Sequence, residues 1–187
     1  MARPLEVVRH CCLAGTNLER ADLRYMDLRG VNFTNSNLRG ADLSHADCRG
    51  TIFVKADLSR ACLYNTNCED ADFSNADLTM SYLRATNFIH ATMWWASLRR
   101  VTAKNAFFLG ADMTGVDMAY GFFLGARFGP PLCKTDQMRN VDKAVFHWYW
   151  DPQGGIPSYD PKEGYVDLWH SVLGGISLQE NASTRPK

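Results

Sequence analysis

Residues 71–78 read ADFSNADL, the same five-residue pattern twice in succession. When the central apolar residue is numbered i, the pattern keeps one phase from Leu13 to Phe128, which is 24 repeats. Position i is Leu in 11 repeats and Phe in seven, and position i−2 is Ala in 12, so both positions suit a packed interior. A period of five fits neither a 3.6-residue helix nor strand alternation. The backbone must therefore turn once in every repeat.

These residues resemble the pentapeptide-repeat family, whose pattern is A(D/N)LXX, over about 116 of the 187 residues. The resemblance implies an all-β fold, a right-handed quadrilateral β-helix in which four repeats make one coil. It also implies that positions i and i−2 point inward and the other three positions point outward. The repeats would then form about six coils and a rod of roughly 29 Å.

Reading the sequence at a spacing of 20 supports this fold, because similar side chains fall above one another. The first face stacks Leu13, Phe33, Phe53, Phe73, Met93 and Met113, and the second stacks Leu18, Leu38, Leu58, Leu78, Leu98 and Met118. The third carries Leu23, Leu43, Leu63, Leu83, Ala103 and Phe123, and the fourth carries Leu28, Cys48, Cys68, Phe88, Phe108 and Phe128. These ladders form the predicted core.

The chain divides into three parts on this interpretation. Residues 1–10 are expected to cap the open N-terminal end, residues 11–128 form the β-helix, and residues 129–187 form an irregular, aromatic-rich extension. A weak echo of the repeat at Met138 and Val141 would carry the helix to about residue 143. The extension contains the sequence FHWYW at residues 146–150. These aromatics either fold back over the last coils or reach a neighbouring subunit or partner.

The sequence offers no candidate catalytic residue, cofactor site or metal site. It has no GxGxxG, Walker, HExxH or GxSxG motif, and its five histidines are scattered. Asp or Asn occupies position i−1 in 11 of the first 14 repeats, where its side chain can hydrogen-bond the turn. We therefore interpret seven carboxylates as architectural and expect neither an enzyme nor a small-molecule substrate: Asp22, Asp27, Asp42, Asp47, Asp57, Asp72 and Asp77.

The six cysteines show neither CxxC pairs nor zinc-ligand spacing, so we interpret them as free thiols. Cys48 and Cys68 stack in the core of successive coils. The start of the chain is too charged for a signal peptide, and no apolar stretch of about 18 residues could span a bilayer. The expected compartment is the cytoplasm, or a virion for a phage protein, and we expect no membrane contact.

The outward positions differ from face to face. On the second face nine of 18 outward residues are charged, whereas the first face carries only Lys55, Asp72 and Asp112 as charges. Exposed apolar side chains on a weakly charged surface indicate a contact site. The candidate interface residues are Ile52, Val54, Trp94 and Trp95 on the first face, Phe107, Leu109, Phe122 and Leu124 in the last coils, and Trp148, Tyr149 and Trp150 in the extension.

The leading hypothesis is a non-catalytic structural and protein-interaction protein that docks into a homo-oligomer or a larger assembly. One alternative comes from the resemblance, because some members of the family mimic DNA and inhibit or protect type II topoisomerases. That role needs a strongly negative surface, but the repeats hold 12 Lys+Arg and 12 Asp+Glu. Zero net charge also argues against direct nucleic-acid binding. A further alternative is a virion cement or decoration protein.

Overall fold

The computed structural model describes residues 10–128, 138–140 and 143–144. The predicted N-terminal cap lies outside the described residues except for His10. Most of the extension also lies outside them, including Trp148, Tyr149 and Trp150. The predicted repeat region is described from end to end.

Parallel bridges between residues 20 positions apart hold the coils together. Position i−1 of each repeat is the bridged residue, from the pair Cys12 and Asn32 to the pair Phe107 and Arg127. The hydrogen bonds follow one rule along the chain: Leu38 N donates to Asp57 O at 2.7 Å, and Asp57 N donates to Ser36 O at 3.0 Å. A pairing distance of 20 means that four five-residue repeats complete one coil, as the sequence predicts.

The all-β prediction is confirmed in part, since the described residues form parallel β-bridges but contain neither a multi-residue strand nor an α-helix. Each side of the square holds a single bridged residue, because only position i separates it from the turn at positions i+1 and i+2. Ala41 N donates to Leu38 O at 3.0 Å across such a turn. The β structure is therefore a set of one-residue ladders, of which the third-face ladder is Asp22, Asp42, Cys62, Tyr82, Thr102 and Phe122.

The corner residue i+2 has a left-handed backbone at every corner from His10 to Gly125. All 24 positions from His10 to Gly125 at a spacing of five have positive φ, 17 of them occupied by residues other than glycine with φ between 53° and 63°. β-Branched side chains are strongly disfavoured in this conformation. Accordingly, Val, Ile and Thr occupy none of these 24 positions, although they are frequent at the others.

The interior is filled by positions i and i−2, as predicted. Phenylalanine rings stack along the axis, with centroids 5.4 Å apart for Phe33 and Phe53 and 4.8 Å apart for Phe53 and Phe73. The leucines of the second face from Leu38 to Leu98 are fully buried. Leu13 and Leu18, in the first coil at the N-terminal end of the ladders, are only partly buried.

Hydroxyl groups at position i−2 are buried beside this core and bond to backbone carbonyls. Thr51 Oγ1 donates to Leu28 O at 2.8 Å, and Thr66 Oγ1 donates to Leu43 O at 2.8 Å, each in the coil before its own. Ser81 Oγ is the exception among the described residues, since it is buried without a hydrogen-bond partner. An unsatisfied buried hydroxyl costs stability.

The prediction that positions i−1, i+1 and i+2 point outward does not make all of them exposed. Asp27, Ser44, Ser74, Asp117 and Ala119 are buried. Neighbouring side chains account for two of these cases: Arg29 covers and binds the carboxylate of Asp27, and Ser44 Oγ bonds to Asp42 and contacts Cys62 Sγ at 3.1 Å.

Residues 138–140 add a further rung to the second face. Arg139 forms a parallel bridge with Asp117, and Arg139 N donates to Val116 O at 2.8 Å. Tyr120 N then donates to Lys143 O at 3.1 Å. Met138, where the sequence shows its weak echo of the repeat, packs against the core. Val141 lies outside the described residues.

Candidate protein-interaction surface

Trp94 and Trp95 lie at the corner between the first and second faces, at positions i+1 and i+2 of one repeat. Each indole is 48% exposed. Trp95 has φ 58°, and of the two rings only its own is in contact with Gly115 and Arg139 among the described residues. The two tryptophans therefore have different surroundings.

Although half-exposed, the Trp95 side chain also makes contacts within the protein. Its ring lies against Gly115 in the next coil, where a Cβ would stand 2.5 Å from Cδ2 of the indole. The guanidinium carbon of Arg139 lies 5.5 Å from the ring centroid, and Arg139 Nε donates to Gly115 O at 3.2 Å. This cation–π contact links Trp95 to the added rung.

Ile52 and Val54 lie on the same side of the rod as Trp94, two coils earlier. Ile52 is the bridged residue between Asn32 and Asp72 and is 36% exposed, whereas Val54 is half-buried. With coils about 4.8 Å apart, two rungs separate the levels of Ile52 and Trp94 by about 10 Å. One partner surface could therefore contact Ile52 and Trp94 together.

The candidates on the third and fourth faces are exposed to different degrees. Phe122 is 55% exposed, whereas Phe107, Leu109 and Leu124 are half-buried. The guanidinium carbon of Arg127 lies 5.5 Å over the Phe107 ring and covers part of it. Phe122 is thus the most accessible of these four residues.

Sequence reasoning missed an aromatic row at the corner between the third and fourth faces. Tyr25 stacks on His45 with ring centroids 4.9 Å apart, and Tyr64 meets His45 edge-on at 5.2 Å. Asn65 Nδ2 lies 3.1 Å from His45 Nδ1, and the Arg84 guanidinium carbon lies 5.7 Å from the Tyr64 ring centroid. The signal was present in the sequence, because these residues occupy corner positions at a spacing of about 20.

The Asp and Asn side chains at position i−1 act as the sequence predicts. Their Oδ1 atoms accept hydrogen bonds from the backbone N–H two residues later, as Asp57 does from Ser59 at 2.9 Å and Asp77 from Thr79 at 2.8 Å. Such bonds stabilise the start of the turn. The carboxylates on these ladders are architectural.

Asp117 binds side chains from two other parts of the chain in addition to its own turn. Its oxygens accept hydrogen bonds from Asn140 Nδ2 at 2.9 Å, Ala119 N at 3.1 Å and Arg99 Nη1 at 3.0 Å. Burial acts to raise the pKa of Asp117, but these three hydrogen bonds and the charge of Arg99 together hold that pKa below its ordinary value. Asp117 thereby connects residues 138–140 to the second face through its hydrogen bonds to Asn140 and Arg99.

The described residues offer few groups that could bind a metal ion or act as a reactive thiolate. In the described ranges no group of three or more His, Cys, Asp or Glu side chains is placed to hold a metal ion. Cys48 and Cys68 are buried free thiols, and burial raises the pKa of Cys68, which keeps it protonated. No helix within the described residues has the length and apolar character to cross a bilayer.

Comparison with known families and structures identifies the repeats. A family model described as pentapeptide repeats matches eight copies, at residues 11–47, 32–67 and 66–102. Among curated proteins the chain has no significant match.

Several solved structures are similar to this chain. HetL, a pentapeptide repeat protein involved in heterocyst differentiation regulation from Nostoc sp. strain PCC 7120, is 24% identical with a TM-score of 0.54, over 75% of this chain and 67% of that one. Rfr23 from Cyanothece 51142 is 22% identical with a TM-score of 0.37, over 75% and 91%. QnrB1, a plasmid-mediated fluoroquinolone resistance protein, is 15% identical with a TM-score of 0.37, over 77% and 95%. The likeness to HetL supports the right-handed quadrilateral β-helix expected from the repeats.

Proposed function

Since the chain belongs to the pentapeptide-repeat family, we propose that it is a non-catalytic structural and protein-interaction protein. The β-helix, about six coils long, is a rigid rod that presents a fixed surface to its partner. It docks through the weakly charged first face, with the extension at residues 129–187 as a second contact, into a homo-oligomer or a larger assembly. A virion decoration role would be a special case of this function.

The observation that carries the proposal is the exposure of Trp94 on the same side as Ile52. Trp94 is 48% exposed and Ile52 is 36% exposed, on a face with three charged residues among its outward positions. Tryptophan contributes strongly to binding when a partner covers it. Because the rungs hold the backbone in place, little conformational entropy is lost on docking.

The distribution of charge favours this function over DNA mimicry. On the third and fourth faces arginines bind the aspartate ladders directly: Arg24 Nε lies 2.8 Å from Asp22 Oδ1, and Arg49 Nη2 lies 2.7 Å from Asp47 Oδ2. A DNA mimic needs a continuous negative surface. Here each such carboxylate has a cation beside it.

Sedimentation velocity over a wide range of protein concentrations tests the proposal. The wild-type chain is expected to form a larger species as concentration rises, and the variant Ile52→Thr/Trp94→Ser is expected to stay monomeric. The matched control is Tyr25→Ser/Tyr64→Ser, which removes two exposed aromatic rings from another corner and should behave as wild type.

Two results would overturn the assignment. A wild-type chain that stays monomeric at every concentration rules out self-assembly. Dissociation in the control variant but not in the Ile52/Trp94 variant places the interface on a different corner.

A further inference from the structure

Seven of the ten arginines between His10 and Phe128 fall into two structural groups. In the first group the arginine occupies position i+1 and an aspartate occupies position i−1 of the same repeat. Arg24 then binds Asp22 through Nε and Nη2 at 2.8 and 2.9 Å, and Arg49 binds Asp47 at 2.9 and 2.7 Å. Arg29 binds Asp27 in the same way. These charges are neutralised within one repeat.

The second group lies along the corner between the second and third faces and lacks this pairing. Arg20, Arg60 and Arg100 occupy position i+2, one residue beyond the position from which the first group binds its aspartates. Arg39 occupies position i+1, but its repeat has Asn37 where the first group has aspartate. We call Arg20, Arg39, Arg60 and Arg100 the basic edge.

The basic edge is open to a partner. Among the described residues, no carboxylate oxygen lies within 4.0 Å of the Arg39, Arg60 or Arg100 side-chain nitrogens. Within the same described residues, Arg20 pairs only with Glu19, at 3.9 Å, and its side chain is 84% exposed. Such a long, exposed pair contributes little to stability.

The arrangement is linear and includes apolar surface. Arg20, Arg39 and Arg60 occupy three successive coils, and Arg100 lies two coils further on, so the edge spans about 19 Å at about 4.8 Å per coil. Met80 fills the gap at the corresponding corner and is 41% exposed. Tyr120, 50% exposed, follows Arg100, whose guanidinium carbon lies 6.0 Å from the Tyr120 ring centroid.

The flanking charges limit which partner fits. Asp57 and Asp77, bridged in register on the second face, form a negative column beside the edge. A DNA duplex or an anionic bilayer is wider than this positive strip and would bring its phosphates against both carboxylates. An extended peptide segment is narrow enough to follow the edge alone, and Met80 suits an apolar side chain but not a phosphate.

We propose that the basic edge binds an acidic, extended segment of a partner protein, with an apolar side chain of that segment on Met80. This inference rests on the proposed function as a protein-binding rod, but it uses a different surface from the Trp94 face. The carboxylates of the segment would pair with Arg39, Arg60 and Arg100.

Fluorescence anisotropy on the full chain tests the proposal with a labelled ten-residue peptide in which glutamate alternates with threonine around a central leucine. The edge variant is Arg39→Gln/Arg60→Gln. The control is Arg24→Gln/Arg49→Gln, which removes the same charge from arginines already bound to aspartate. We expect the edge variant to weaken binding about fivefold and the control to change it less than twofold. Thermal unfolding checks that both variants fold.

Equal loss of binding in the two variants, or no binding by the wild-type chain, would overturn the proposal. Tighter, edge-dependent binding of a 12-base-pair duplex or of vesicles containing phosphatidylserine would replace it with a nucleic-acid or membrane surface. Failure of this proposal can be distinguished from failure of the proposed function. If only the basic edge were wrongly assigned, the Ile52→Thr/Trp94→Ser variant would still stay monomeric in sedimentation.

Discussion

The indole ring of Trp95 lies directly against Gly115, the residue 20 positions later, and a Cβ at Gly115 would stand 2.5 Å from the ring. This contact joins two consecutive corners, and Arg139 packs over the same ring at 5.5 Å. The position therefore needs glycine for two reasons, its positive φ of 72° and the space that Trp95 occupies.

Replacing Gly115 by alanine separates these two requirements when Gly50→Ala is the control. Gly50 also has positive φ, 62°, but nothing lies within 4 Å of its added Cβ. Both variants should lose about 1 kcal/mol from the backbone conformation. Gly115→Ala should lose more and change the near-ultraviolet circular dichroism, because the indole must move. Equal losses and unchanged spectra would show that the Trp95 contact is unimportant.

Ser81→Ala should stabilise the protein by about 0.5–1 kcal/mol, because it removes a buried hydroxyl that has no partner. Alanine is also the commonest residue at position i−2. The control is Thr86→Ala, which should destabilise the protein, since Thr86 Oγ1 donates to Leu63 O at 2.6 Å. Calorimetric melting compares the two, and a lower Tm for Ser81→Ala would contradict the burial of its hydroxyl.

Asp117→Asn should lower stability at pH 7 by about 1–2 kcal/mol, because the ion pair with Arg99 is lost. Since the folded-state pKa of Asp117 is depressed, its contribution is complete above the unfolded-state pKa of about 3.9 and disappears as pH falls through the folded-state value. The difference between wild type and variant should therefore shrink below about pH 4. Urea unfolding at pH 7 and pH 3 measures it, and a pH-independent difference would contradict the pKa shift.

The sequence predicts the role of the i−1 carboxylates, and its resemblance to the pentapeptide-repeat family implies the coil and the inward positions, which the stacking of similar side chains at a spacing of 20 supports. It does not predict how Trp94 and Trp95 differ. That difference depends on Gly115 and on Arg139, which pairs with Asp117 across 22 residues instead of 20 and so lies outside the repeating pattern. The left-handed corners had a sequence signal, the absence of Val, Ile and Thr from position i+2, which only the backbone geometry made recognisable.

The pairing rule for arginine could also have been read from the sequence. An arginine two residues after an aspartate at position i−1 is neutralised, as Arg24 is by Asp22, whereas an arginine at position i+2 is not. Applying this rule to a sequence requires only that each arginine is assigned to position i+1 or i+2 of its repeat.

The chain should leave gyrase supercoiling activity unchanged at equimolar and tenfold excess concentrations. The repeats carry as many basic as acidic residues, and ion pairs with arginine neutralise the i−1 aspartates of the third and fourth faces. An agarose-gel supercoiling assay makes the comparison. Inhibition or protection of gyrase at these concentrations would favour DNA mimicry over the proposed function.

Hydroxyl-radical footprinting of the full chain at increasing concentration tests the central claim most directly. Trp94 and Tyr25 are similarly exposed in the single chain, at 48% and 52%, so their modification rates provide an internal comparison. If the first face is the contact surface, Trp94 becomes protected as the larger species forms while Tyr25 stays reactive. A larger species in which Trp94 remains as reactive as it is in the dilute monomer would contradict the account.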